Sequence, residues 1–274
     1  MTGDRPDNPR RHGSPPYRIA VVHGGPGAAG EMAPVARVLS RRGGVLEPLQ
    51  TALSVEGQIA ELAECLRRDA SPPVACVGHS WGAWLAVLAA ARHPDLVDRL
   101  VLVGSGPFEE RYAAGMAQTR LNRLSAGERR EAQDLLARAD ALDDAHLARL
   151  GALFARADAY DPLPPDDEDA DAAPPPRAQA AIFAAVWPEA AALRRSGELL
   201  RRACSLRCPV FIVHGDHDPH PVAGVCEPLS GLPGLRRLVL PRCGHTPWRE
   251  RQAREPFFRA LAAALGAPPG TSET

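Results

Sequence analysis

Lysine is absent from this chain: all 32 basic residues are arginine, set against 33 acidic residues for a net charge of −1. So even a balance excludes a general electrostatic grip on nucleic acid or on an anionic membrane as the main business of the protein. The arginines are spread along the chain with abundant alanine and proline, which reads as coding bias rather than a basic patch. Long apolar runs are missing too. The longest, Ala83 to Ala91, falls far short of the roughly 20 residues a bilayer span needs. The opening MTGDRPDNPRRHGSPP holds charges and prolines but no apolar stretch of the kind a secretory signal carries. Cysteines 65, 76, 204, 208, 226 and 243 make no CxxC pair, and in a chain of this size they do not suggest a disulfide framework. No internal repeat is apparent. What is present is 45% hydrophobic residues over 274 positions, enough to bury a sizeable core in one large α/β domain. The expectation is a cytoplasmic, enzyme-sized protein.

Order is expected to begin after an unstructured lead, residues 1–16. Tyr17 to Val22 is a short β-branched run ending in glycines. Helical spacing follows at 31–42, a strand at 44–50, and an amphipathic helix from Ser54 to Arg68 with Ser54 as N-cap. Val74 to Val77 and Arg99 to Val103 read as further strands, with a helix that is apolar nearly all round, Trp81 to Arg92, between them. Apolar runs without polar alternation are those of strands buried on both faces, and the alternation of strand and helix predicts a parallel sheet covered on two sides. That rhythm stops at Gly104. From there to about Cys204 only helical patterns occur, at 109–125, 126–139, 143–157 and 177–202, broken by the acidic, proline-rich stretch 161–176. A mobile loop is expected there. Strands resume at Pro209 to Val213 and Arg237 to Leu240, and a helix from Arg249 to Leu265 precedes the tail 267–274. The organisation predicted is a core of 17–106 and 208–266, interrupted by a helical lid at 107–207.

Gly78-His79-Ser80-Trp81-Gly82 is a GxSxG match entered by a strand and left by a helix. The turn is too tight for side chains two residues either side of the serine, and Ser80 is held at its tip with the hydroxyl exposed. A serine hydroxyl needs a base, and the base an orienting acid. Asp216 and Asp218 follow the strand at 209–213, and His245 follows the strand at 237–240. For a developing oxyanion, the loop His23-Gly-Gly-Pro-Gly27 offers one backbone N–H and Trp81 the other. Gly25 is the first donor, since Pro26 has no N–H to give, and His23 braces the loop.

Competing signals exist. Gly25, Gly27 and Gly30 form a GxGxxG match with Glu47 some way downstream, the dinucleotide fingerprint, but Pro26 sits where an N–H should approach a pyrophosphate. His214, His217 and His220 with Asp216 and Asp218 have the types that suit zinc, yet they lie in a turn-rich stretch and no HExxH helix is present. Cys243 is read as a loop or core cysteine rather than a reactive one. The acidic stretch is read as solvated rather than as an attractor of cations.

Taken together, HGGPG at 23–27 and the GxSWG-type elbow at 78–82 resemble the α/β-hydrolases, and the proline iminopeptidase branch in particular. The resemblance implies a serine hydrolase with Ser80, Asp218 and His245 as its triad and the helical insert as its lid, acting on a small ester, amide or short peptide, with no cofactor or metal and no nucleic-acid or membrane partner. Three features depart from that branch. His79 stands where it usually has glycine, the lid has only Val186-Trp-Pro-Glu189 in place of an amine-holding Trp-x-x-Trp-Glu segment, and no leading hairpin precedes Tyr17. On the first two of these, small esters are expected to be better substrates than N-terminal proline.

Overall fold

The computed structural model describes residues 8–164 and 179–266. In chain order the core elements are β1 (Arg10–His12), β2 (Tyr17–Val22), α1 (Ala33–Ser40), β3 (Gly44–Glu47), α2 (Val55–Asp69), β4 (Val74–His79), α3 (Trp81–Arg92) and β5 (Val97–Val103). The insert supplies α4 (Met116–Arg123), α5 (Ala126–Leu136), α6 (Asp144–Asp158), α7 (Gln179–Arg195) and α8 (Glu198–Ala203). The chain then returns through β6 (Val210–Gly215), α9 (Ala223–Cys226), β7 (Arg236–Leu240) and α10 (Arg254–Gly266). One seven-stranded sheet results, in the order β1-β3-β2-β4-β5-β6-β7. Only its first pair, β1 with β3, is antiparallel.

Successive strand residues face opposite layers, and both layers are apolar. Val22, Cys76, Leu102 and Ile212 pack with α2 and α3, while Val21, Val77, Val101 and Val213 pack with Val35 and Leu39 of α1 and Phe257 and Leu261 of α10. This double coverage is why the strands read as continuous apolar runs. Helix α3 is buried at all positions from Trp81 to Ala90, because α2 and α8 enclose it on the sides the sheet leaves open. Among the described residues no helix is long and apolar enough to cross a membrane.

The expected unstructured lead needs correcting. Within 1–16, Arg10–His12 pairs with β3 in the register Arg10 to Glu47 and His12 to Val45. Polar groups hold this edge: Asn8 exchanges two 2.9 Å hydrogen bonds with the Leu49 backbone, and His12 Nε2 bonds Glu47 at 2.9 Å. A polar, three-residue strand leaves no periodicity to read. Residues 1–7, most of the acidic stretch (165–176) and the tail 267–274 lie outside the described residues.

Nor is the insert a uniform cover. Helices α4 to α6 share a small cluster of their own, built on Leu121, Leu135, Leu150 and Leu153. By contrast Ile182, Val186 and Ala190 of α7 and Leu199 and Ala203 of α8 belong to the main core beside α3. The pattern expected as one helix over 177–202 breaks at Ser196 and Gly197 into these two. Any movable part of the insert is its first half, since displacing α7 would open the core.

Ser54 accepts from the Gly57 N–H at 3.1 Å and caps α2 as expected. Ser54→Ala should lower the unfolding free energy by about 1 kcal/mol, read as a lower urea midpoint at unchanged m-value.

Candidate active site

The elbow is built by close approach. A Cβ on Gly78 would stand well inside contact distance of the Gly82 carbonyl, and one on Gly82 would do the same to the Val22 carbonyl. Only with both side chains missing can α3 leave β4 so steeply across β2. Between them Ser80 takes φ 52° and ψ −118°, a region that costs a non-glycine residue on the order of 1–3 kcal/mol. Its N–H donates to the Val103 carbonyl at 3.0 Å, which anchors the turn to β5.

Asp218 and His245 meet as the sequence predicts. His245 Nδ1 lies 2.8 Å from Asp218 Oδ2, and the Asp218 side chain is fully buried. Asp216 does a different job: its Oδ1 accepts from the Cys243 N–H at 3.2 Å and ties the acid-bearing loop to the histidine-bearing one. Burial resists the charge on Asp218, but His245 and His220 outweigh it, and the carboxyl is held well below the usual carboxylate range. Burial likewise opposes a charged His245, yet the facing Asp218 carboxylate wins and raises its pKa above that of ordinary histidine.

The remaining histidines divide. His220 donates Nδ1–H to Asp218 Oδ1 at 2.7 Å and stacks on the His245 ring at 4.5 Å between centroids. Burial drops its pKa to about 4, so it is a neutral donor at physiological pH. His214 Nε2 bonds the His220 carbonyl at 2.7 Å from within β6, while His217 packs edge-on against Tyr160. Asp218, His220 and His245 have ligand atoms within 4.8 Å of one another, a spacing a metal ion could use. Each carboxylate oxygen, however, takes one ring at hydrogen-bond length, which is the arrangement of an acid orienting two imidazoles. Burial pushes the Cys243 thiol upward, against a reactive thiolate.

The loop after β2 lies beside the serine: a Cβ on Gly24 would come within 3.1 Å of Ser80 Cβ. Gly24 N–H is taken by Glu31 Oε2 at 3.1 Å, so Gly24 is not the free N–H before Pro26, and Gly25 stays the expected donor. Trp81, directly after Ser80, opens α3. His23 braces this loop, with Nδ1 at 3.0 Å from the Gly24 carbonyl and Nε2 accepting from the Gln50 N–H at 3.2 Å. The dinucleotide reading fails on its acid as well as on Pro26, because Glu47 is buried and paired with His12.

Two features had only weak signals in the sequence. His79 links both sides of the site: Nδ1 lies 3.1 Å from Glu31 Oε2, and Nε2 lies 3.0 Å from the His245 carbonyl. Burial opposes ionisation of Glu31, but His79 overrides it and brings the carboxyl down to about 2. The insert contributes backbone, since the Asp158 carbonyl at the end of α6 accepts from His245 N–H at 3.0 Å. Asp158 itself is held by Arg120 of α4 at 2.6–3.0 Å. Beside Ser80 lies a narrow cleft walled by Trp84, Trp187, Met116, His220 and Arg194.

The profile of a family described as alpha/beta hydrolase fold matches residues 57–248. No curated protein matches the sequence. Among solved structures, the chain is similar to an E-2-(acetamidomethylene)succinate hydrolase, at 23% identity and a TM-score of 0.62 over 94% of both chains. It is similar to VinJ at 18% identity and a TM-score of 0.68, again over 94% of both. A proline iminopeptidase of Mycobacterium smegmatis aligns at 20% identity and a TM-score of 0.62 over 95% of both chains. Identities this low carry the fold and not the substrate.

The raised pKa of His245 has a sign that can be checked. An imidazole base works only unprotonated, so kcat/KM for an activated ester should fall as pH drops through a value above the reference of about 6.5. Asp218→Asn should move that limb to lower pH and cut turnover on the order of 10⁴-fold, whereas Asp216→Asn should leave the limb in place.

Proposed function

Since the chain belongs to the alpha/beta hydrolase fold family, we propose that it is a serine hydrolase of small esters or amides, working through an acyl-enzyme. In this reading His245 Nε2 takes the Ser80 proton as Oγ attacks the substrate carbonyl. Asp218 holds the ring by Nδ1 and stabilises the imidazolium that forms. The oxyanion is met by the N–H groups of Gly25 and Trp81, and on collapse His245 returns the proton to the leaving alcohol or amine. Water then repeats the sequence on the acyl-enzyme, regenerating Ser80 and releasing the acid.

The observation that carries this reading is the backbone of Ser80. Strain stored in one serine, at the carboxyl end of a central strand and beside a buried aspartate–histidine pair, is the pattern of a site where strain serves function. The cleft favours esters over an aminopeptidase substrate. An N-terminal ammonium needs an acid in the pocket, but Glu189, the nearest counterpart of the iminopeptidase segment, accepts from the Val55 N–H at 2.8 Å and caps α2. The permanently charged side chain in the cleft wall is instead Arg194, which repels an ammonium.

A fluorophosphonate probe should label Ser80 alone, and Ser80→Ala should lose labelling and on the order of 10⁶-fold in turnover with the fold unchanged. Short-chain 4-nitrophenyl esters should be cleaved far faster than prolyl-naphthylamide. Persistent labelling of Ser80→Ala, or prolyl-naphthylamide as the better substrate, would overturn the reading.

A further inference from the structure

Arg194 is a costly residue to place where it is. It sits in the last turn of α7, the helix fused to the main core, and only 9% of it is exposed. Its guanidinium carbon lies 5.7 Å from the centre of the Trp84 ring, and it shares the wall of the Ser80 cleft with Trp84 and Trp187. Those two indoles lie nearly parallel, 8° apart. Among the described residues its hydrogen-bonding partner is Glu110, which takes Nε at 2.7 Å. Glu110 is half exposed, so water screens its half of the pair.

A guanidinium presents five N–H donors in a planar fork, and this pair uses the Nε edge. The two terminal amino groups are left for whatever enters the cleft. In a wall whose other members are Ser80, the indoles, Gly106, Pro107, the Met116 thioether and a neutral His220, they are the permanently charged groups. A carboxylate is the small anion that fits such a fork, and the surrounding indoles strengthen the bond by keeping water away.

Resting on the serine-hydrolase reading above, we infer that Arg194 selects substrates bearing a free carboxylate on a short chain next to the ester or amide that Ser80 attacks. The substrate class is thus a monoester or monoamide of a small dicarboxylic acid, rather than a neutral ester. The guanidinium fixes the acid end, the indoles cover the methylenes, and the scissile carbonyl is left over Ser80. The reaction releases the dicarboxylate, so the step that supplies this substrate must be one that leaves a single carboxyl blocked.

The test compares monomethyl glutarate with dimethyl glutarate, which share a skeleton and differ by one charge. The wild type should favour the monoester in kcat/KM by about 10- to 100-fold, the worth of a charge-assisted hydrogen bond. Arg194→Met should abolish that preference, read as the ratio of kcat/KM for the two esters, and Arg194→Lys should restore part of it. Glu110→Gln removes the same ion pair but keeps the guanidinium, so it should retain the preference. Equal use of both esters by the wild type would overturn the inference, and so would loss of the preference in Glu110→Gln. Calorimetry separates this inference from the one beneath it. Glutarate should bind the wild type and Ser80→Ala but not Arg194→Met, and glutaramide should bind none. Failure of the fluorophosphonate probe with glutarate binding intact would sink the serine mechanism alone. Labelling of Ser80 without glutarate binding would sink the carboxylate site alone.

Discussion

The site depends on how closely α3 can cross β2 and β4. Two missing side chains, at Gly78 and Gly82, let the helix start against the Val22 carbonyl and force Ser80 into its left-handed backbone. A methyl group at either glycine would push α3 away from the sheet. The Trp81 N–H would then leave the neighbourhood of the His23–Gly27 loop. The apolar character of α3 follows from the same constraint: a helix driven this deep into a sheet has no face left for water, and it is buried from Trp81 to Ala90. The stability of the layers around it compensates for the strain at the serine.

Asp218 is the second fixed point, and it shows how the protein keeps a buried charge. An isolated carboxylate in such a place would be neutralised. Here Oδ2 is given to His245 and Oδ1 to His220, and the His220 backbone N–H adds a bond to Oδ1 at 2.9 Å. The two rings are not equivalent. His220 is desolvated to a pKa of about 4 and stays a neutral donor, whereas His245 is raised and can take a proton. A single carboxylate thus sets one imidazole as scaffold and leaves the other as the titrating group, because burial weighs most heavily against a charge on His220 and the neighbouring His245 adds to it.

The sequence made the local features legible. Strand after strand showed as apolar runs, Ser54 as a cap, and the glycines around Ser80 as a turn, because each depends on neighbours a few residues away. The order of Ser80, Asp218 and His245 was legible as well, since in a parallel sheet the carboxyl ends of strands gather on one edge. Strand β1 was not, because side chains in a polar triplet reveal nothing about an edge held by Asn8 and His12. Nor could the division of the insert be read: both halves carry helical patterns, and only packing against α3 tells which one belongs to the core. Arg194 was one arginine among 32, and its meaning comes from the indoles around it.

His79 shows what such a resemblance leaves unsaid. A glycine at this position would satisfy the turn, and a histidine brings an imidazole into the wall between the oxyanion loop and the base. Each of its nitrogens faces a group that only accepts, the Glu31 carboxylate on one edge and the His245 carbonyl on the other. Because Glu31 also holds the Gly24 N–H, one side chain connects the loop that would stabilise the oxyanion to the residue that would move the proton. The ring is 1% exposed and wedged against Trp248, 4.8 Å away between centroids, so the link is stiff. The loop and the base are therefore set relative to each other through the elbow itself. Losing this link would loosen both at once, through the His245 backbone on one side and Glu31 on the other.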